Sequence, residues 1–111
     1  METLDASAFR KDHLLREGTW ILAFVADWCP FCQRFLPSFP SLEGERRFRL
    51  AVADISDERS RLWDDLAVSV VPTLVVFRAG RPIHREDGLL GRGLPAGALD
   101  RARSAALEQD R

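Results

Sequence analysis

The sequence predicts an α/β fold in which a mixed central β-sheet of four to five strands is flanked by helices on both faces. Runs of apolar and β-branched residues at 20–26, 48–54 and Thr73–Arg78 predict buried strands. Segments with helical spacing alternate with these strands, and strand–helix–strand units place neighbouring strands parallel. A tight turn at Ala79-Gly80 then leads into a more polar strand at 82–87, which makes the sheet mixed.

The first elements along the chain are a very short strand and a helix. Glu2–Leu4 is predicted to add a short strand at the edge of the sheet. Segment 7–17 is predicted to be helical because two apolar pairs, at 8–9 and 14–15, stand within a polar stretch. Gly18 follows at the position where such a helix would end.

A second helix is predicted at 30–43, directly after the first long strand. Its apolar residues recur at roughly helical spacing, and Pro30 suits the first turn because its missing N–H would be unpaired there. Pro37 and Pro40 should kink this helix or end it near Phe39. Two later segments are also predicted to be helical: 58–66 and 95–108.

Length and composition predict one globular domain, 1–111. Hydrophobic residues make up 46% of the chain and charged residues 30%, which is ordinary for a domain that buries its own core. A net charge of −1 gives no reason to expect a nucleic acid or a membrane as a partner. The sequence begins without a signal-peptide pattern and contains no long apolar run. We therefore expect a cytoplasmic monomer.

The stretch DWCPFC, at 27–32, holds both cysteines of the chain. It follows the 20–26 strand, so Cys29 falls at the amino end of the predicted 30–43 helix, where free N–H groups stabilise an anion. Because thiolate is the reactive form of cysteine, this position favours Cys29 as an attacking nucleophile. Cys32 lies one helical turn later and is more sheltered, which suits a thiol that resolves the mixed disulfide on Cys29.

Two other interpretations of the pair stay open at this point. The cysteines could be inert core thiols, although the junction of a loop and a helix is an unusual place for them. They could also be half of a zinc site, but zinc takes four ligands and only His13 and His84 are available, far apart in sequence. A dimer that shares one ion through two such pairs is a variant of this second interpretation.

The surrounding residues resemble the thioredoxin family. AFVADWCPFCQRFLP is similar to its active-site region, where an apolar strand runs into a Trp-Cys-x-x-Cys helix and a proline, here Pro37, follows the second cysteine by five residues. VVPTLVVFRAG is similar to the segment that carries a cis-proline before a strand and hairpin, here Pro72. Gly88, sixteen residues after Pro72, matches the family's glycine near the substrate groove. The resemblance implies a thioredoxin fold over nearly the whole chain.

The resemblance also implies roles for the neighbours of Cys29 and Cys32. Trp28 would form an apolar platform beside Cys29, and Phe31, following Pro30 between the cysteines, would be exposed. The backbone of Val71, before the cis-proline Pro72, would pair with an extended substrate. Gly88 would border the same groove. Arg34 could add positive potential near Cys29, or could be a solvated charge on the helix.

Three features depart from the thioredoxin pattern. Ala23 occupies the position of a buried aspartate that is thought to assist proton transfer at the resolving thiol. The lysine that pairs with that aspartate is also missing, and loss of both members of a buried ion pair can leave stability nearly unchanged. The dipeptide between the cysteines is Pro-Phe, a glutaredoxin-like choice, where thioredoxins carry Gly-Pro. Since glutaredoxin couples are more oxidising, we expect a weaker reductant than a typical thioredoxin.

The resemblance implies an enzyme: a thiol–disulfide oxidoreductase that reduces protein disulfides through Cys29 and Cys32. No cofactor would be bound, and reducing equivalents would come from NADPH through a flavoprotein thioredoxin reductase. One alternative is a glutathione-coupled, disulfide-forming or isomerising enzyme, which Pro-Phe favours, although the stretch EDGLLGRGLP lacks the glutathione-site pattern of glutaredoxins. Another is a redox-silent binding module whose groove, between Trp28 and Pro72, holds a partner.

Overall fold

The computed structural model describes residues 1–108, and residues 109–111 of the expected 1–111 domain lie outside the described residues. The strands are β1 (Glu2–Leu4), β2 (Phe9–Arg10), β3 (His13–Leu14), β4 (Thr19–Val25), β5 (Arg49–Asp54), β6 (Thr73–Arg78) and β7 (Arg81–Glu86). The α-helices are α1 (Pro30–Phe35), α2 (Leu62–Asp65) and α3 (Ala98–Leu107). Two segments form 3-10 turns: Ala6–Ala8 and Leu36–Leu42.

Five strands form one mixed sheet in the order β1-β5-β4-β6-β7, as the sequence predicted. Strands β1 and β4 both run parallel to β5, whereas β6 is antiparallel to β4 and β7 is antiparallel to β6. Strand β4 lies in the centre and six of its seven residues are buried. A continuous apolar strand of this kind is expected where both faces of the sheet are covered.

The two faces of the sheet are covered by different elements. The ring of Phe9 packs against Phe24 and Phe77 on one face, with ring centroids 5.9 and 6.0 Å away. Arg78 alternates with Phe77 and so points to the other face, where its guanidinium donates to the carbonyl of Ala106 near the end of α3. Hence the β2–β3 hairpin covers one face and α3 covers the other.

Helices α1 and α2 also lie on opposite faces of the sheet. The guanidinium of Arg61, next to α2, donates to the carbonyls of Ala6 and Phe9, at 2.6 and 2.7 Å. Helix α2 therefore lies beside the hairpin. The 3-10 turn that continues α1 contacts α3, so α1 belongs to the opposite face. The expectation of helices on both faces of a mixed sheet is confirmed.

The helix predicted at 7–17 is wrong. This segment forms a 3-10 turn and then the β2–β3 hairpin, in which Phe9 pairs directly with Leu14 and both side chains are buried. Lys11 turns the chain with a φ of 52°. The two apolar pairs are thus explained by cross-strand pairing, which buries Phe9 and Leu14 on one face and leaves Leu15 exposed.

The helix predicted at 30–43 is α-helical only over Pro30–Phe35 and continues as the 3-10 segment Leu36–Leu42. Pro37 has no N–H to donate and disfavours helical geometry in the residue before it, so the α-helix ends before the expected Phe39. The α-helix predicted at 58–66 is likewise reduced to Leu62–Asp65.

Strand β7 and helix α3 are joined through the largely buried carboxylate of Glu86. It accepts hydrogen bonds from Arg101 at 2.8 and 3.0 Å and lies 2.6 Å from the Nε2 atom of His84. Burial acts to raise the pKa of Glu86, but the hydrogen bonds from Arg101 and His84 outweigh it, and the net effect lowers this pKa. The outer strand β7 also contains Pro82, and its register with β6 shifts between Val76 and Phe77.

Candidate active site

The loop after β4 places Cys29 at the start of α1. Its backbone N–H bonds to the carbonyl of Ala26, and its Sγ accepts a hydrogen bond from the backbone N–H of Cys32 at 3.2 Å. Cys29 is 4% exposed and Cys32 is fully buried. Both are free thiols, so the structure represents the reduced pair. The Cys29 sulfur is thus the N-cap of α1, and the first free N–H groups of the helix lie next to it.

The Cys32 thiol lies in an apolar environment. Burial, followed by the contact with the Cys29 sulfur, raises the pKa of Cys32 to about 12. The other groups that act on it are the backbone of Ala26 and of Cys32 itself. Ala23, which stands where the thioredoxin pattern has a buried aspartate, is completely buried. Cys32 is therefore a protonated thiol at neutral pH.

The peptide bond between Val71 and Pro72 is cis, as predicted, and it lies beside the reactive pair. The Cys29 thiol donates to the carbonyl of Val71, with 3.5 Å between sulfur and oxygen. Both Val71 and Pro72 are buried. The backbone before the proline thus contacts the thiol at the head of α1.

Gly88 packs against the back of this loop. Its N–H donates to the Oγ1 atom of Thr73, and a Cβ atom added to it would lie 2.4 Å from the carbonyl oxygen of Pro72. Any side chain at this position would displace the cis-proline loop. The space available, rather than an unusual φ angle, requires glycine here.

Trp28 is 52% exposed beside Cys29 and is held in place by two contacts. Its Nε1 atom donates to the carbonyl of Ser56 at 2.9 Å. Its ring stacks on Trp63 with centroids 6.2 Å apart and planes inclined by 11°. The apolar platform predicted for Trp28 is thus built from two tryptophans, and Trp63 was not identified from the sequence.

Phe31 is half-buried on the other side of Pro30, where we expected an exposed ring. The guanidinium of Arg34 lies 5.2 Å from its ring centroid, and Gly93 lies close to its edge. Arg34 is thus placed against Phe31 and not simply in solvent. Pro30 is exposed at the first position of α1.

These residues surround a groove of about 340 Å³, which we call the active-site groove. It is lined by Trp28, Cys29, Pro30, Phe31, Trp63, Ser69, Val70, Val71, Leu90 and Gly91. Five of the eight predicted site residues line it, and the other three lie directly behind it: Cys32, Pro72 and Gly88. The sequence did not indicate the contribution of 69–70 or of the turn at 90–91.

The described residues, 1–108, offer neither a metal site nor a membrane-spanning helix. They contain no group of three or more histidine, cysteine, aspartate or glutamate side chains arranged to hold a metal ion. No helix among them has the length and apolar character needed to cross a membrane. The zinc interpretation of the cysteine pair therefore has no further ligands in this part of the chain.

Comparison with known proteins gives one consistent family. A thioredoxin family model matches residues 1–94. A thioredoxin of Chlamydia caviae is 30% identical over 83 residues, which are 75% of this chain and 81% of that protein. A bifunctional thioredoxin reductase/thioredoxin of Mycobacterium leprae is 30% identical over 93 residues, 83% of this chain. The chain spans between 20% and 57% of the length of three of the curated relatives it matches.

The fold has the same relatives. The crystal structure of the short form of thioredoxin f from spinach chloroplast superposes with a TM-score of 0.77 and 19% identity, covering 96% of this chain and 93% of that one. The family supports a thiol–disulfide oxidoreductase with a Cys-x-x-Cys pair. By its sequence match and by its fold, this chain belongs to the thioredoxin family.

Proposed function

We propose that this chain reduces disulfide bonds in other proteins, with Cys29 as the attacking thiolate and Cys32 as the resolving thiol. The observation that carries the proposal is the position of the Cys29 sulfur. It accepts the N–H of Cys32 at the head of α1 and lies 3.5 Å from the carbonyl of Val71, on the wall of an open apolar groove. Membership of the thioredoxin family supports the same chemistry.

The reaction exchanges one disulfide for another in two steps. The Cys29 thiolate attacks one sulfur of the substrate disulfide, so that a mixed disulfide forms and the other substrate sulfur leaves as a thiolate. Cys32 then loses its proton and attacks the Cys29 sulfur, which forms the Cys29–Cys32 disulfide and releases the second substrate sulfur. The substrate gains two electrons and the enzyme dithiol loses two.

The second step needs a base, because Cys32 is buried with a pKa of about 12. The polar groups that act on this thiol include no carboxylate. The most suitable acceptor is therefore the substrate thiolate released in the first step, which is held next to the pair, or a water molecule that enters the groove.

The residues around the cysteines have supporting roles in this proposal. Trp28 and Phe31 flank the attacking sulfur and contribute apolar surface to the groove. The backbone of Val71 aligns an extended substrate strand, and Pro72 leaves that backbone accessible because it adds no N–H of its own. Gly88 allows the loop to sit in this position because no side chain displaces Pro72.

The oxidised enzyme has to be reduced for the next cycle. We propose NADPH, through a flavoprotein thioredoxin reductase, as the source of electrons. The relative in Mycobacterium leprae, named a bifunctional thioredoxin reductase/thioredoxin, supports this pairing. The substrates would be disulfide-containing proteins, and the enzyme would act as a monomer of one domain, 1–111, in the cytoplasm, without nucleic acid or membrane.

A second candidate function is a glutathione-coupled or disulfide-forming oxidoreductase. The Pro30-Phe31 dipeptide favours it, because a Pro-aromatic pair is glutaredoxin-like. The reduction potential separates the two candidates: the protein is equilibrated with glutathione buffers, its thiols are trapped, and they are counted by mass. A strongly reducing value supports thioredoxin-type reduction, whereas a value at or above that of glutaredoxins supports the second candidate.

The proposal itself is tested with two matched serine variants in an assay that couples NADPH oxidation to insulin reduction through a thioredoxin reductase. Cys29→Ser should abolish turnover. Cys32→Ser should also lose turnover but accumulate covalent mixed disulfides with substrates. Full disulfide reduction by Cys29→Ser would refute the assignment, and a partner bound equally well by both variants would indicate a binding module.

A further inference from the structure

The turn at 88–93 forms one end of the active-site groove and is held rigidly at both ends. Gly88 lies against the carbonyl of Pro72, and a Cβ atom at Gly93 would lie 3.4 Å from the ring of Phe31. Between them, the backbone of Leu89 exchanges hydrogen bonds with Gly93, at 2.7 and 3.0 Å. The turn is therefore wedged between the cis-proline loop and the aromatic ring beside Cys29.

The tip of this turn presents an apolar side chain to the groove. Leu90 lines the groove and is 87% exposed, more than any other large hydrophobic side chain among the described residues. A leucine gains nothing from this position in the free protein, because water contacts nearly all of its surface. It gains only if an apolar group of another molecule covers it.

Two residues after Leu90, the turn carries an exposed cation, Arg92. No carboxylate among residues 1–108 pairs with Arg92, while Arg34, the neighbouring cation, covers the ring of Phe31. None of the residues that line the groove is charged. The groove is thus lined by uncharged residues, and two cations are placed near Phe31 in its wall: Arg34 lies over the ring, and Arg92 directly precedes Gly93, which lies against the ring.

We infer that the 88–93 turn selects the substrate. The preferred disulfide lies in an extended segment that places an apolar side chain against Leu90 and an acidic side chain next to Arg92, with the reacting cysteine at Cys29. This inference rests on the proposed function and names its substrate class. Leu90 contributes apolar contact, and Arg92 contributes charge complementarity at the solvent-exposed edge.

The test uses disulfide-linked reporter peptides that differ only in the residues on either side of the cysteine. The reference peptide is Glu-Leu-Cys-Leu-Glu, which is symmetric in residue type and needs no assumption about strand direction. Replacing both leucines with serine should lower kcat/KM about tenfold. Replacing both glutamates with lysine should lower it about threefold at low salt, and less at high salt.

Two variants assign these preferences to the turn. Leu90→Ala should remove most of the preference for leucine over serine. Arg92→Glu should reverse the preference for glutamate over lysine. Arg81→Glu is the matched control, because it makes the same charge change at an exposed position at the opposite end of β7. It should leave the order of the three peptides unchanged.

Hydroxyethyl disulfide, which carries neither a leucine nor a charged side chain, separates this inference from the proposed function. The wild type and Arg81→Glu should reduce it at the same rate, which shows that the redox pair is active independently of peptide preference. If the wild type reduces the three peptides equally, or if Arg92→Glu and Arg81→Glu behave alike, the inference is overturned while the proposed function stands. If the wild type reduces no disulfide at all, both are overturned.

Discussion

The buried Cys32 thiol should make the reduced protein sensitive to alkali. Burial raises the pKa of Cys32 from 9.0 to about 12, so the folded state keeps a proton that the unfolded state loses. For a group whose pKa is raised by folding, the associated stability is complete below the unfolded pKa and is lost as the pH rises toward the folded one. The window for Cys32 therefore runs from pH 9 to about pH 12.

The size of the effect follows from the two pKa values. Each unit of difference corresponds to about 1.4 kcal/mol, so the full loss across the window is about 4 kcal/mol. At a pH of about 10.5, halfway through the window, the free energy of unfolding should have fallen by about 2 kcal/mol. Few other side chains titrate in this pH range, because the chain has no tyrosine and Lys11 is its only lysine.

The assay is urea unfolding at pH 8 and at pH 10.5, in the presence of a phosphine reductant that keeps both thiols reduced. Cys32→Ala should remove most of the loss, because it deletes the titrating group and leaves Lys11 in place. Cys29→Ala should retain most of it, since burial is the largest cause of the raised pKa. An equal loss in the wild type and in Cys32→Ala would refute the reasoning.

Three further predictions concern the surroundings of the groove. Gly88→Ala should lower the free energy of unfolding by about 1–3 kcal/mol, because its Cβ would lie 2.4 Å from the Pro72 oxygen; urea unfolding measures this. Glu86→Gln should make stability less dependent on pH in acid. The lowered pKa of the Glu86 carboxylate contributes stability above pH 4.5 that is lost as the pH falls, and thermal unfolding from pH 3 to 7 measures this loss. Trp63→Leu removes the ring that stacks on Trp28 and should lower kcat/KM for protein disulfides about threefold to tenfold, with the rate on hydroxyethyl disulfide unchanged.

Gly44 supplies the control for the first of these. Its φ is +98° and a Cβ there would meet nothing within 4 Å, so Gly44→Ala tests backbone strain without a clash. It should lose stability without any change in the reactivity of Cys29. A Gly88→Ala protein with wild-type stability would contradict this prediction, because it would show that the cis-proline loop moves aside without cost. Unchanged kinetics would show that the position of this loop does not affect the reactivity of Cys29.

The sheet and the cysteine pair were predictable because their signals are local and unambiguous. The strands at 20–26, 48–54 and Thr73–Arg78 were placed to within one residue at each end, since continuous apolar runs of that length are typical of covered strands. Two cysteines at 29 and 32 after such a strand fix one sulfur at the head of a helix.

The 7–17 segment shows where periodicity fails. Ala8 and Leu15 are seven residues apart, which places them on one face of a helix, whereas Phe9 and Leu14 pair directly across a two-residue turn in a hairpin. What decides between them is the ring of Phe9, which fills the space beside Phe24 and Phe77 on the sheet. That contact is with distant parts of the chain, so no local pattern reports it.

Trp63 and Leu90 were missed for a related reason. Trp63 follows Trp28 by 35 residues and Leu90 follows it by 62, and only the fold brings the three to one groove. Leu90 also lies in a stretch, EDGLLGRGLP, whose glycines predict a turn but not where its tip points. Side chains that come from elements far apart in the sequence are the part of a site that sequence spacing does not reveal.

The two outer strands of the sheet determine where another chain can attach by backbone pairing. β1 is only three residues long. β7 contains Pro82 and two arginines, and its register with β6 is shifted. Short, proline-bearing, charged or irregular edges resist the addition of a further strand. Strand addition is thereby discouraged at the ends of the sheet, which is consistent with the proposal that a substrate segment pairs instead at Val71, next to the Cys29 sulfur.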